Sequence, residues 1–424
     1  MPTQFGKHFW PNFSFVYGIR VDYLSPTFYF TDFLVILILI FFIFENRRRI
    51  NKHLNLRKNL IKIELVFLTF LILITGIINS INPLAGVYGF VKLTEVLFLI
   101  SYTAKNFRNA NRNIVFSCFV FGVFFESVLV ILQYLNQGSL GGVLYYLGER
   151  SFNAQTPGIA NASINGNLIM RPYGTFSHPN VLSAYLFVLM YLIIVYIKKE
   201  TLGFKNIIAY LTLLLGTLSL ILTMSRVSIF AWVLLMFVFL AMSFWKKTRI
   251  SFLKTANFEF MNNKKLILLL FATIVFLYLS PSSVRFFETN FSDQTFTKRQ
   301  NLIKDASLMV YKSPALGTGL NNFLTSLPAI QKQQGQQIYL QPVHNIFFLV
   351  LSETGVIIFM LFLYFLFLTF NKIREQKNNS YLILFFSILF LSIFDHYFFT
   401  LQQGQILFAI VFGIFWSETK EKLS

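Results

Sequence analysis

The chain is divided into blocks of apolar residues close to twenty long, and there are more than ten of them. A helix needs about 20 such residues to cross about 30 Å of hydrocarbon. One block of that length could be a buried core helix, but ten or more cannot share the core of a single 424-residue chain. The apolar residues do not follow the period-2 alternation of a strand or the 3.6-residue stripe of a surface helix. Hydrophobic residues make up 55% of the chain and charged residues 12%, about half the charged fraction of a soluble domain. The fold class read from this pattern is an all-α polytopic membrane protein. Fifty-four Phe residues suit an outer surface solvated by lipid.

Eleven spans are expected, at 29–44, 63–81, 84–104, 113–135, 179–197, 206–223, 226–245, 266–280, 346–370, 380–397 and 404–417. The eighth is short and the ninth long, so either can be partly irregular or reach beyond the bilayer. Residues 1–28, with Arg20, Asp22 and Pro26, are too polar to span and are expected to form an interfacial or re-entrant segment. They also lack the basic and then apolar regions of a cleavable signal peptide. Residues 29–424 are expected to form a single transmembrane bundle. Cys118 is the one cysteine and lies in an apolar block, which leaves no disulfide and no thiolate metal site.

Orientation follows from Lys and Arg. If the loop after the first span is cytoplasmic, the inside segments are 45–62, 105–112, 198–205, 246–265, 371–379 and the tail from Ser417. These hold 24 of the 36 basic residues. Short basic loops mark the inside, so the N-terminus is expected outside and the C-terminus inside. A net charge of +19 is accounted for by these loops. The basic residues are not interleaved with aromatics along one groove, so no nucleic-acid partner is expected. Two large loops, 136–178 and 281–345, then fall outside.

The first of these loops contains Gly141-Gly142, Pro157-Gly158 and an Asn/Ser/Gly-rich run to Asn167, a flexible, lid-like composition. The second has apolar residues at Leu302, Ala306 and Met309, a spacing that predicts an amphipathic helix from about Asp293 to Tyr311. Ser313-Pro314 should end it.

Ionisable groups at membrane depth are costly and need a reason. Lys92 and Glu95, three apart on one helix face, are read as a structural pair, and Asp395-His396 as interfacial residues. Glu126 stays open between a packing hydrogen bond and a functional role. Arg226, by contrast, sits on the outer side, where topology gives a cation no reason to be. It is read as a residue placed to meet an anion. Arg171 precedes the fifth span, Arg226 the seventh and His344 the ninth, so alternate helices can bring all three around one outer cavity. The planar guanidinium fork suits a diphosphate, and a neutral imidazole can take a proton from a hydroxyl.

Four segments resemble the O-antigen ligase and O-antigen polymerase family: Arg171-Pro-Tyr-Gly-Thr-Phe-Ser-His-Pro-Asn180; Leu222-Thr-Met-Ser-Arg226; Arg299 to Leu320, ending Ser313-Pro-Ala-Leu-Gly-Thr-Gly-Leu; and Val343-His344-Asn345 with Leu351-Ser-Glu-Thr-Gly355. They lie in order across residues 165–370. The resemblance implies a metal-independent, inverting glycosyltransferase of the bacterial cytoplasmic membrane, without a cofactor, that takes a glycan from undecaprenyl diphosphate to a lipid or glycan acceptor. Arg171 and Arg226 would hold the diphosphate, and His344 would position or deprotonate the acceptor hydroxyl. Arg299, Arg285, Asn345, Asn180 and Glu353 are further candidates for binding diphosphate or glycan. No outer Asp-x-Asp pair or His cluster is visible in the sequence to hold a metal. The family commonly has a further N-terminal apolar helix, which residues 1–28 do not supply. A polymerase of the same family and a transporter for lipid-linked or anionic solutes are the alternatives. A transporter would draw on Glu126 and the Lys92/Glu95 pair near the bilayer midplane.

Overall fold

A computed structural model describes residues 3–50, 69–164, 166–197, 203–245, 263–283 and 294–417. The chain is mostly helical. Apolar helices run over α1 Phe30–Ile50, α2 Thr69–Ile78, α3 Pro83–Asn106 and α4 Arg112–Asn136, and then over α6 Pro179–Tyr196, α7 Phe204–Leu222, α8 Arg226–Trp245 and α9 Asn263–Leu279. After two amphipathic helices the apolar series resumes with α12 Ile346–Glu375, α13 Asn379–Phe394 and α15 Gln402–Trp416. Short helices are α5 Val143–Tyr146 and α14 Tyr397–Thr400, and the amphipathic pair is α10 Gln294–Lys312 and α11 Phe323–Gln333. Among the described residues, α3, α4, α6, α7 and α12 are long and apolar enough to cross a membrane, and α2, α8, α9, α13 and α15 are shorter apolar helices. Most of the basic segments 45–62, 198–205 and 246–265, and the tail beyond Ser417, lie outside the described residues.

The centre of the bundle is α6. Fifteen of its eighteen residues are buried, against α4, α7, α8, α13 and α15. Being apolar on all sides, it has no face to give to solvent. Pro179 at the first helical turn lacks the N–H that the turn could not use. The start of α6 therefore opens into the middle of one end of the bundle.

The expectation of helix alone misses three short antiparallel hairpins. Residues 1–28 pair β1 Gly6–His8 with β4 Thr27–Tyr29, and β2 Phe15–Val16 with β3 Ile19–Arg20. The 136–178 loop contains β5 Asn161–Ile164 paired with β6 Asn167–Met170. The N-terminal segment is packed: Val16, Val21 and Leu24 share a core with Leu302, Ala306, Met309 and Leu327. The helix read from the Leu302/Ala306/Met309 spacing is α10, which ends at Lys312, immediately before Ser313-Pro314.

α12 is broken at Gly355, where φ is 72° and ψ 178°. The break frees backbone groups, and the loop after α10 takes them. Thr318 N–H donates to Ser352 O and Gly319 N–H to Glu353 O, each at 2.9 Å, while Val356 N–H donates to Pro314 O at 2.8 Å. A Cβ at Gly355 would stand 2.2 Å from Ala315 O, and one at Gly317 2.5 Å from Glu353 O. Positive φ and close contact both require glycine at these two positions.

Candidate active site

The turn from Arg171 to His178 enters α6 and is held by polar side chains of α4. Gln133 Oε1 accepts the N–H groups of Tyr173 and Gly174 at 3.0 and 2.8 Å. The buried Glu126 carboxylate accepts Thr175 N–H at 3.1 Å and Thr175 Oγ1–H at 2.6 Å. The first part of the loop is held in the same way: Glu149 accepts the N–H groups of Leu140 and Gly141 and the amide of Gln133. Despite its glycine-rich composition, this end of the lid is fixed by buried carboxylates. Glu126 thus serves as a hydrogen-bond anchor.

Arg171, buried by this turn, points its guanidinium in two directions. Nε donates to Thr223 O at 2.7 Å, in the turn that leads into Arg226, and a terminal nitrogen donates to Asn180 Oδ1 at 2.7 Å. Asn180 Nδ2 in turn donates to Asp395 Oδ2 at 2.8 Å. The other carboxylate oxygen of Asp395 lies 3.4 Å from His344 Nδ1 and accepts His396 N–H at 2.8 Å. One hydrogen-bonded chain therefore runs from Arg171 through Asn180 and Asp395 to His344. It crosses the N-terminal ends of α6 and α12 and the C-terminal end of α13.

His178 completes the cluster as the N-cap of α6, its Nδ1 accepting Asn180 N–H at 3.1 Å. Burial, reinforced by the Arg171 charge, pushes its pKa down to about 3. The cap needs an unprotonated Nδ1, so the two observations agree.

The remaining sequence candidates separate. Arg226 opens α8 three residues beyond Thr223, and α8 is tied to α6 by the Ser183–Ser228 hydroxyl contact at 2.7 Å. Arg299 lies on α10, close enough for its charge to act on Tyr339 and on His396, and its Nε is buried without a hydrogen-bond partner. Asn345 is the N-cap of α12, with Oδ1 accepting Phe348 N–H at 3.1 Å and Nδ2 donating to Ile393 O at 3.0 Å. Glu353 is buried and accepts the N–H groups of Asn321 and Phe323 at 2.9 and 3.2 Å, at the start of α11. Both ends of Asn345 and the Glu353 carboxylate are thus engaged in holding the fold. Arg285 lies outside the described residues.

A cavity of about 550 Å³ adjoins the cluster, with His178, Tyr23, Asn321 and Glu353 on its polar wall and Val96, Leu97, Phe365 and Phe408 on its apolar one. It also borders Lys92, whose ammonium lies 2.7 Å from Asp32 and 3.3 Å from Glu95. Asp32 of α1 is thus the nearer partner, which the i,i+3 reading of Lys92/Glu95 did not include. Gln402 donates to Asp32 and Glu95 and closes the group.

Folding also assembles what the linear sequence concealed. The ligand atoms of His344, Asp395 and His396 lie within 4.8 Å of one another, so the expectation that no His cluster is present is corrected. Three such groups could hold a metal ion; each also has a hydrogen-bonding role, His396 Nδ1 sitting 2.6 Å from Thr400 Oγ1.

Residues 211–363 match the O-antigen ligase family model. The resemblance is borne out over that stretch, which holds three of the four motifs; the motif at 171–180 precedes it. The match supports a function of the O-antigen ligase and polymerase type, a glycosyltransferase-like activity in lipopolysaccharide or polysaccharide assembly that acts on lipid-linked glycans at a membrane. No curated protein matches the chain. The matched stretch contains Arg226, Arg299, His344, Asn345 and Glu353, whereas Arg171 and Asn180 precede it and Asp395 follows it. The hydrogen-bonded chain therefore joins residues inside the family match to residues on both sides of it. Asp395, His396 and His178 were not singled out as site residues from sequence. The signal available was an acid and a histidine side by side at the end of an apolar helix.

Proposed function

We propose that this protein is an O-antigen ligase-like, inverting glycosyltransferase. It moves a glycan from undecaprenyl diphosphate to an acceptor hydroxyl on the outer face of the bacterial cytoplasmic membrane. The observation that carries this reading is the chain from Arg171 through Asn180 and Asp395 to His344. It couples a cation suited to a diphosphate to an imidazole suited to a hydroxyl. In this reading eleven apolar helices span the bilayer with the N-terminus outside, and residues 1–28 lie at the outer interface. The site then sits on the outer face.

The chemistry uses the chain's own side chains. With Nδ1–H directed at Asp395, His344 presents Nε2 as the base. The acceptor oxygen attacks the anomeric carbon and its proton passes to Nε2. The bond from that carbon to the diphosphate oxygen breaks, and undecaprenyl diphosphate leaves with the electron pair. Attack from the face opposite the leaving group inverts the anomeric centre. Arg171 and Arg226 offset the charge on the departing diphosphate, where each charge-assisted hydrogen bond is worth about 1.5–3 kcal/mol. Arg299 and Arg285 add positive charge from the 281–345 loop. Asn180 keeps Arg171 and Asp395 in register, and Asp395 holds the His344 tautomer. No metal takes part in this scheme, so turnover should persist in excess EDTA.

The test is a purified assay with a lipid-linked oligosaccharide and an acceptor, measuring release of the diphosphate lipid. His344→Ala, Arg171→Lys and Arg226→Lys should each fall well below wild type. Near-native turnover in all three would sink the mechanism, and loss of activity in EDTA would reassign the His344/Asp395/His396 group to a metal. A ladder of repeats in place of one transfer per acceptor would make the protein a polymerase of the same family. The buried Lys92–Asp32–Glu95 group beside the cavity is what a transporter would use. Lipid-linked glycan crossing proteoliposomes without cleavage would favour that reading.

A further inference from the structure

At the end of the bundle remote from His344 and Asp395, a second cavity of about 320 Å³ lies between four helix ends. It is bounded by the C-terminal ends of α6 and α15 and the N-terminal ends of α4 and α13. Arg108, Arg112, Tyr196, Asn378, Tyr381 and Ser417 supply its polar lining, and among the described residues none of the lining is acidic. Arg112 lies over the Tyr196 ring, 5.3 Å from its centroid, and the Tyr196 and Tyr381 hydroxyls are 3.3 Å apart. The ion pairs among the described residues are all at Lys92, His344 or His396, so neither arginine has a carboxylate partner there. Arg108 is half-buried and Arg112 exposed.

The two C-terminal helix ends bring negative partial charge and the two N-terminal ends positive, so the arginines decide the sign of the cavity. Two guanidinium forks stand beside a pair of hydrogen-bonded phenol hydroxyls, and among the described residues neither arginine is paired with an acid. The first turns of α4 and α13 set their positive ends against the negative ends of α6 and α15. Arginine forks and tyrosine hydroxyls match the three-oxygen face of a phosphate. Basic pockets between membrane helices take phosphate headgroups in this way. We propose that this cavity binds a phosphate-bearing anion between Arg108 and Arg112, at the membrane face opposite the site built on His344. The proposal does not depend on the glycosyltransferase reading.

The experiment is native mass spectrometry of the full-length protein in detergent, titrated with phosphatidylglycerol, phosphatidylcholine or inorganic diphosphate. Phosphatidylglycerol should bind more tightly than phosphatidylcholine, and Arg108→Gln/Arg112→Gln should weaken it about ten-fold or more. Arg108→Lys/Arg112→Lys, which keeps the charges and loses the forks, should fall between the two. Competition by inorganic diphosphate would identify a soluble anion as the ligand, and its absence a lipid headgroup; both support the site. Unchanged affinity for both anionic probes in the Gln double variant would overturn it. If that variant does not fold, unchanged affinity in the Lys double variant and in Tyr381→Phe would overturn it equally.

Discussion

The Asp395 carboxylate and the His344 imidazole, 51 positions apart in the chain, approach to 3.4 Å at the end of the bundle where α6 begins. Removing the charge while keeping the shape isolates what the acid does. Asp395→Asn should lower kcat about 10-fold to 100-fold with little change in KM, and His344→Ala should cost about 10²–10⁴-fold. Because the acid acts through the imidazole, the Asn variant should also move the pH profile of kcat. A wild-type rate and profile in Asp395→Asn would remove Asp395 from the mechanism.

The buried Lys92 ammonium lies within ion-pair distance of two carboxylates, Asp32 and Glu95. Lys92→Met leaves Asp32 and Glu95 facing each other without a cation, and breaking a buried pair in this way costs about 3–5 kcal/mol. The midpoint of thermal unfolding in detergent should drop accordingly. Adding Asp32→Asn to Lys92→Met should restore part of the loss, because the second change removes one of the orphaned charges. A Lys92→Met midpoint equal to wild type would show that the group is not paired as described.

Gly355 and Gly317 face the same interlock from its two sides. Alanine at either would combine a disfavoured positive φ with a Cβ driven into backbone atoms, at a cost of about 2 kcal/mol or more. Both loosen one contact, so the double variant should lose less stability than the two losses added. Chemical denaturation in detergent measures this, and strict additivity would mean that the loop and the helix break are independent.

Acid should weaken the protein through His178. Its folded-state pKa, about 3, lies below the ordinary value of 6.5, so the unfolded chain takes up a proton that the folded chain refuses. This contribution is fully present above pH 6.5 and is lost progressively as pH falls toward 3. His178→Asn keeps an N-cap acceptor without a titrating group. Its thermal midpoint should fall less than wild type between pH 7.5 and pH 5. Parallel curves for the two proteins would remove His178 as the source.

The apolar helices were legible because a bilayer sets a length that a run of hydrophobic residues must meet, and 179–197 and 346–370 could be found by counting. The amphipathic α10 was legible from Leu302, Ala306 and Met309. The N-terminal hairpins were not: two- and three-residue strands such as Phe15–Val16 are too short to show an alternation. The break at Gly355 was also hidden, since a single glycine in an apolar run does not announce a second segment 36 positions upstream, at Gly319, that fills it. Within the site, Arg171, Asn180 and His344 could be named because each stands at the edge of a span. Asp395 stands at such an edge too. Its importance lies in two contacts, to Asn180 and His344, that depend on how α6, α12 and α13 are packed together.

The Asn180 amide has its oxygen on a cation and its nitrogen on an anion, and this orientation gives the side chain a polarity that cannot be reversed. Aspartate at 180 would set two carboxylates against each other, and leucine would insulate the arginine from the acid. The carboxamide is a directional joint in which the Arg171 end and the Asp395 end are not interchangeable. A diphosphate drawing Arg171 away would leave Asn180 held by Asp395 alone, so occupancy at one end of the joint would be felt as loosening at the other.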